Sequence, residues 1–127
     1  MNVRKYGDNT ELLWHDRKRY FGLPISFTRY ALIRKGDEWF KIFAEIGLLY
    51  TQIDEVNLYR IKDISLHQSL GDKIFGTGTV TLYSNDASAP VFSLRHVKDP
   101  FRVRELLSNH IEKQRQLRGI RVSELQR

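Results

Sequence analysis

Apolar and polar residues alternate in short segments over most of the chain, and turn residues separate these segments. A period of two places the apolar side chains on one face of a strand. The pattern predicts strands at residues 10–17, 26–34, 39–46, 48–53, 61–68, 77–84 and 91–97. Seven short strands at nearly even spacing predict a β-sandwich or a β-barrel.

The apolar run from Trp39 to Ile53 leaves two interpretations open. Periodicity alone does not distinguish a short helix from two buried strands in such a run. Its aromatic and β-branched residues favour strands, with Gly47 as a bulge or bend between them. Trp39, like Trp14 in the first strand, is predicted to lie in the core.

The C-terminal part of the chain has a helical period. Asp99 is a candidate N-cap, and Pro100 suits the first helical position, where its missing N–H is no loss. One face of this helix carries the apolar side chains and one histidine, namely Val103, Leu106, Leu107, His110 and Leu117, with Ile111 at its edge. Gly119 is the predicted stop. The expected fold is mainly β with one C-terminal α-helix that plugs an open barrel end.

This pattern divides the chain into three parts. We expect a flexible N-terminal segment at 1–9, one domain at 10–117 and a basic tail at 118–127. The N-terminus has no apolar segment typical of a secretory signal, and no stretch approaches the length of a membrane-spanning helix. The chain has no cysteine, which excludes disulfides, thiolate metal sites and a cysteine nucleophile. We therefore expect a cytoplasmic protein, with a peripheral membrane position as the alternative.

The net charge of +6 is unevenly distributed. Residues 1–94 carry 12 basic and 11 acidic side chains, whereas residues 95–127 carry 9 basic and 4 acidic ones. A basic helix and tail can attract phosphates or an anionic membrane. The pattern favours the simpler interpretation of a solvated helix face followed by a basic tail.

Candidate catalytic and metal sites are absent from the sequence pattern. The four histidines, His15, His67, His96 and His110, have no metal-ligand spacing and adjoin no recognisable nucleophile. The glycine-rich segment 71–78 lacks the Lys-Ser/Thr ending of a phosphate-binding loop and is predicted to be a turn. In each of the acidic pairs 37–38 and 54–55, the two carboxylates would point to opposite faces of a strand, so they would not converge on one substrate. We therefore expect no enzymatic activity and no cofactor or metal.

A basic and aromatic segment is the candidate binding site. It consists of Arg17, Lys18, Arg19 and Tyr20, followed by Phe21. Cations next to aromatic rings suit a phosphate at a membrane interface or a stacked base. The alternative is an exposed basic turn whose aromatic residues cover a barrel end.

Several segments, in their order and spacing, resemble the bacterial pleckstrin-homology (PH) domains. These segments are Arg29-Tyr30-Ala31-Leu32, Leu58 to Ile64, Gln68-Ser69, Phe75 to Leu82, and Leu94 to Pro100. The resemblance extends from Glu11 to Arg115. It implies a seven-stranded, strongly bent sheet or partly open barrel, capped by a C-terminal helix.

The resemblance does not carry lipid binding with it. Family members often have transmembrane helices beside this domain, and the present sequence shows none. Eukaryotic relatives that bind phosphoinositides use clustered basic residues between the first two strands. Here, after Arg17-Lys18-Arg19, no basic residue follows until Arg29. A shared fold does not by itself imply a shared function.

We therefore predict a non-enzymatic binding or assembly module. It would engage a protein partner or a second copy of itself through a sheet edge or groove. The alternative is a peripheral membrane module that binds anionic lipid through the basic loop and the C-terminal helix. Nucleic-acid binding ranks third because no recognised motif supports it.

Overall fold

The strands and helices were located in a computed structural model of the chain. It describes residues 10–23, 26–36, 39–48 and 51–125, with side chains described as far as residue 118. The expected flexible segment at 1–9, the connection at Pro24 and the acidic pair Asp37-Glu38 lie outside the described residues.

Seven strands form two antiparallel sheets, which confirms the predicted fold class. The first sheet has the order β1 (Thr10–Arg17), β2 (Thr28–Lys35), β3 (Trp39–Ile46) and β4 (Gln52–Asn57). The second has the order β5 (Ile61–His67), β6 (Thr77–Ser84) and β7 (Val91–Lys98). A short helix, α1 (Leu70–Phe75), joins β5 to β6, and the long helix α2 (Pro100–Leu125) follows β7. The two sheets do not close into one continuous barrel.

The fourth strand lies later in the chain than the predicted 48–53. Gly47, with a φ of 121°, ends the extended run of β3, and its N–H donates to the carbonyl oxygen of Phe27. Leu48 is therefore left in a connection, 67% exposed, and β4 begins at Gln52. The pattern missed Val56, the buried residue of this edge strand, because exposed acidic residues precede it.

The segment predicted as a turn at 71–78 contains most of the helix α1, which begins at Leu70. Its N-terminus is a capping box, in which the Ser69 hydroxyl accepts from the Asp72 N–H and the Asp72 carboxylate accepts from the Ser69 N–H. Gly76 ends the helix in the left-handed conformation, at a φ of 69°. Gly76 thus ends the helix, whereas Gly71 lies within it and Gly78 within β6.

One core fills the space between the two sheets and α2. The inner faces of the strands supply most of it, including Leu32, Phe40, Ile42, Leu82 and Leu94. A smaller cluster of Ala31, Ile33 and Phe43, packed with Leu12, lies on the opposite face of the first sheet. The predicted inward residues of β6 and β7 are buried as expected.

The apolar face of α2 closes this core, as predicted, but its centre differs from the prediction. Val103, Leu107 and Ile111 are buried, whereas Leu106, His110 and Leu117 are only half-buried. The same face continues to Gln114, whose side-chain oxygen accepts from the Phe40 N–H at 2.8 Å. This buried glutamine was missed because apolar periodicity assigns amides to the solvent.

Both ends of α2 differ in part from what the sequence predicted. The helix begins at Pro100 as expected, but Asp99 has a φ of 50°, not the extended backbone usual for an N-cap. At the other end the helix passes Gly119 and reaches Leu125, so the predicted stop at Gly119 was wrong. A single glycine inside a helix costs only about 1 kcal/mol, which does not end it. The proposed boundary at residue 118 stays a prediction.

Only one of the two tryptophans packs on the main core. Trp14 is half-buried against it. Trp39 instead makes an edge contact with Tyr59, and the Arg118 guanidinium lies 4.9 Å from the Trp39 ring centre. The prediction of a core position was therefore wrong for Trp39, which covers the end of the fold beside α2.

Candidate functional site

The predicted site residues lie at the end of β1 and in the tight turn that follows it. Tyr20 and Leu23 exchange backbone hydrogen bonds at 3.0 and 2.9 Å. Between them, Phe21 and Gly22 have φ values of 53° and 79°. Two successive positive φ values are typical of the tightest hairpin turns. This turn holds Phe21 at its tip, 77% exposed.

The three predicted cations do not converge on one ligand position. Arg19 forms an ion pair with Asp16 at 3.2 Å and donates to the carbonyl oxygen of Gly22 at 3.0 Å. The Lys18 ammonium lies 5.1 Å from the ring centre of Tyr20. Arg17 is still within β1, opposite Arg29 in the β1–β2 ladder. The arginine and lysine nearest the turn therefore support the conformation of the turn itself.

Asp16 attaches this turn to the second sheet. Its carboxylate accepts from the Arg17 N–H at 2.7 Å and, through the other oxygen, from the Lys98 N–H at 2.9 Å. The Arg19 N–H in turn donates to the carbonyl oxygen of His96 at 3.0 Å. Two polar contacts, from Asp16 and Arg19 just before the turn, thus hold it against the end of β7.

A second polar centre, Asp72, holds α1 against the same end of the fold. Its carboxylate accepts from Ser69, from the Thr77 hydroxyl at 2.8 Å, and contacts Nδ1 of His96 at 2.9 Å. Burial by itself would raise the pKa of Asp72. The backbone N–H of Ser69 and the side chains of His96, Thr77 and Ser69 outweigh burial and lower it to about 2.

Together the turn and α1 present an apolar surface, which we call the loop–helix surface. Its members are Tyr20, Phe21, Leu23, Leu70, Ile74 and Phe75. Phe21 and Phe75 join its two halves, with ring centres 5.9 Å apart in an edge-to-face contact. A Cβ at Gly22 would lie 3.4 Å from the Cβ of Phe75. Leu70 and Ile74 are 76% and 72% exposed.

The sequence identified two of the six residues of this surface. Tyr20 and Phe21 were identified, but the contribution of α1 was missed because its segment looked like a glycine-rich turn. The spacing Ser69-x-x-Asp72 is a signal that could have revealed it, since it matches a capping box. The pairing of His96 with Asp72 brings together residues 24 positions apart, which no local pattern predicts.

The other candidate residues have structural roles or are exposed. Nδ1 of His110 lies 2.8 Å from the carbonyl oxygen of Leu106, and its ring packs on Phe40. Asp54 and Glu55 lie exposed on the edge strand β4. Within the described ranges there is no metal-binding group of three acidic or histidine side chains. The helices described in the structure include none that is long and apolar enough to cross a membrane.

Comparison with known proteins identifies a family to which most of the chain, but not residues 17–21 of the candidate site, is similar. The family model described as "Bacterial PH domain" matches residues 22–111, which is most of the chain. The match includes six of the seven strands, all of α1 and the first half of α2. No curated protein and no solved structure matches the chain.

Proposed function

The chain belongs to the family of bacterial PH domains, and we propose that it is a non-enzymatic module that binds a protein partner on the loop–helix surface. PH domains are generally non-catalytic modules that mediate protein or lipid interactions. The observation that carries the proposal is the exposure of Phe21, Leu70 and Ile74 on a surface that the fold holds in place.

Six large apolar side chains are exposed on this surface, with 45% to 77% of each accessible to solvent. Large contiguous apolar patches on soluble domains are typical of interaction sites. Aromatic residues are also enriched among the residues that contribute most to protein–protein affinity. Because the Asp16 and Asp72 contacts fix the turn and α1, a partner would meet a surface that needs little ordering on binding.

The state of the nearby cations favours a protein over an anionic membrane. Arg19, the central residue of the basic segment, is already paired with Asp16, and Lys18 lies over the Tyr20 ring. A lipid phosphate would have to compete with these contacts. The second basic region is spread along α2, where Arg118 lies over the rings of Trp39 and Tyr59.

Charge complementarity defines the chemistry of the partner. Lys73 is exposed on α1 and Lys18 adjoins Tyr20, whereas the acidic residue of α1, Asp72, is buried beneath the surface. The loop–helix surface therefore combines apolar anchors with positive charge. Its matching partner is a protein segment in which large apolar residues are flanked by Asp or Glu.

Selection from a displayed peptide library tests this proposal. The bait is the full chain, and the counter-selection uses the variant Phe21→Ser/Ile74→Ser. We expect enriched peptides to combine apolar anchors with acidic residues and to bind the variant at least about tenfold more weakly. The matched control Tyr83→Ser/Val91→Ser removes one exposed aromatic and one exposed aliphatic residue elsewhere, and it should bind like the unmodified chain.

Three results would contradict the proposal in different ways. Selected peptides that bind Phe21→Ser/Ile74→Ser as tightly as the control Tyr83→Ser/Val91→Ser would place the binding site elsewhere. Strong cosedimentation with phosphatidylserine vesicles, lost in Phe21→Ser/Ile74→Ser, would make the surface a membrane-docking site. Dimerisation of the unmodified chain that this variant abolishes would identify the occupant as a second copy of the chain.

A further inference from the structure

A cleft lies between β1 and the first two turns of α2. Its role does not depend on the proposed protein-binding function. The cleft has a volume of about 360 Å³. That volume is near the lower end of the range of small-molecule pockets, about 300–1,000 Å³. Its lining combines apolar residues with charged ones.

A β-bulge creates the apolar part of the cleft. The β1–β2 register shifts between Leu12 and Trp14, which leaves Leu13 as the extra residue. Neighbouring residues of a regular strand point to opposite faces, but a bulge redirects one of them. Leu13 and Trp14 consequently both pack against the main core and line the cleft, opposite Val103 and Leu106 of α2.

The charged part of the cleft has an excess of positive charge. Arg19, Lys98 and Arg102 line it together with two carboxylates, Asp16 and Asp99, and with His15. Asp16 is already engaged by the Arg19 guanidinium and by the backbone N–H of Lys98. Within the part of the chain that the structure describes, Lys98 and Arg102 form no ion pair. Two cationic side chains are thus free to bind an anion beside an apolar wall.

We propose that this cleft binds a medium-chain carboxylic acid, with its carboxylate at Lys98 and Arg102 and its alkyl chain against Trp14 and Leu106. A carboxylate matches these two donors because hydrogen bonds to charged groups are stronger than neutral ones. The cations exceed the carboxylates by one, which suits a monoanion. The apolar wall removes the alkyl chain from water, which favours an acid with a chain over acetate.

Trp14 provides a direct reporter of binding. The chain has two tryptophans, so Trp39→Phe leaves Trp14 as the single one. We expect octanoate to change the Trp14 emission saturably, and octanamide, which has the same chain without the charge, to bind at least about tenfold more weakly. Calorimetric titration of the unmodified chain with both compounds repeats the measurement without the Trp39 substitution.

Charge-removing variants locate the carboxylate. Lys98→Gln/Arg102→Gln should weaken octanoate binding about tenfold. The control Lys62→Gln/Arg104→Gln removes the same charge from exposed positions outside the cleft and should leave the affinity unchanged. Thermal melts verify that both variants are folded. The proposal is overturned if octanoate shows no saturable binding by calorimetry, if octanamide binds equally well, or if both double variants retain full affinity.

Discussion

The helices α1 and α2 bury opposite kinds of residue. The long helix α2 has its apolar residues, Val103, Leu107 and Ile111, buried in the core. The short helix α1 exposes its apolar residues, Leu70 and Ile74, and buries its aspartate, Asp72, at 5% exposure. Hydrophobic burial therefore stabilises α2, whereas polar contacts from one carboxylate hold α1. The outer face of α1 therefore adds little to the core, and it is the face on which we propose that a partner binds.

The largest expected effect distinguishes these two roles directly. Leu107→Asp would place an unpaired carboxylate in the core, which costs several kcal/mol. A domain of this size has a total stability of only about 5–15 kcal/mol, so we expect loss of the cooperative thermal transition. Ile74→Asp, the matched substitution on α1, should melt within a few degrees of the unmodified chain. A normal transition in Leu107→Asp would show that α2 does not close the core.

A smaller effect is expected from the carboxylate that holds α1. A lowered folded-state pKa stabilises the protein above the unfolded value of 3.8, and this contribution disappears as the pH falls towards about 2. The shift corresponds to about 2 kcal/mol. In urea denaturation, Asp72→Asn should therefore reduce the free energy of unfolding at pH 7 by about 2 kcal/mol.

The same variant has a characteristic pH dependence. The difference in stability between the unmodified chain and Asp72→Asn should narrow as the pH is lowered from 4 to 2, because Asp72 becomes protonated over that interval. A difference that stays constant across this range would mean that the charge of Asp72 does not hold α1.

Two glycines next to α1 are required for different reasons, Gly78 for close packing and Gly76 for its backbone conformation. At Gly78, an added Cβ would lie 2.8 Å from Cγ of Pro100, so Gly78→Ala should destabilise the junction with α2 by about 1–3 kcal/mol. Gly76 has free space but a φ of 69°, and Gly76→Ala should cost about 1 kcal/mol.

Gly71 provides the control for both glycine variants. It lies within α1, and an added Cβ would meet nothing closer than the Ser69 hydroxyl oxygen at 3.8 Å. Alanine there should stabilise the chain by about 0.5–1 kcal/mol. Denaturation midpoints should fall in the order Gly71→Ala, Gly76→Ala, Gly78→Ala. Equal midpoints for all three variants would show that neither close packing nor backbone conformation requires glycine there.

The smallest effect is expected from the basic segment. Changing Arg17, Lys18 and Arg19 to Ser should leave cosedimentation with anionic vesicles weak and nearly unchanged, because Arg19 and Lys18 already have intramolecular contacts. A membrane-docking cluster would instead lose about 1 kcal/mol per residue, or roughly two orders of magnitude in affinity for three. Strong, salt-sensitive vesicle binding that the triple variant abolishes would instead favour lipid over protein as the ligand of this domain.

The residues that sequence reasoning placed correctly are those whose environment follows from local periodicity. Val80, Leu82 and Phe92 alternate with less buried neighbours, and Val103 and Leu107 repeat at the helical period, so strands and helix were both predictable. The basic and aromatic segment was identified from its composition and not from periodicity, and an exposed turn was one of its two interpretations. Its three cations form a visible cluster in the sequence, but the ion pair between Arg19 and Asp16 could not be predicted from it.

The residues that were misplaced depend on tertiary contacts or on a polar group with many partners. Gln114 is buried because it bonds to Phe40, which is 74 residues away. The helix α1 forms because Asp72 has partners on both sides, including His96. Its apolar residues therefore lie outside, the reverse of what a hydrophobic pattern indicates. The part of the candidate site that was missed is thus α1, which is held in place by the contacts of a buried carboxylate.

Stability and peptide binding, measured together in one variant, show whether the loop–helix surface belongs to the folding core. In Phe21→Ser/Ile74→Ser, we expect a denaturation midpoint equal to that of the unmodified chain, together with at least about a tenfold loss of affinity for the selected acidic–apolar peptides. That result would separate the loop–helix surface from the folding core. A loss of stability comparable to that of Leu107→Asp would contradict the account, because the surface would then belong to the core. Full affinity with unchanged stability would contradict it equally, because the surface would then bind no partner.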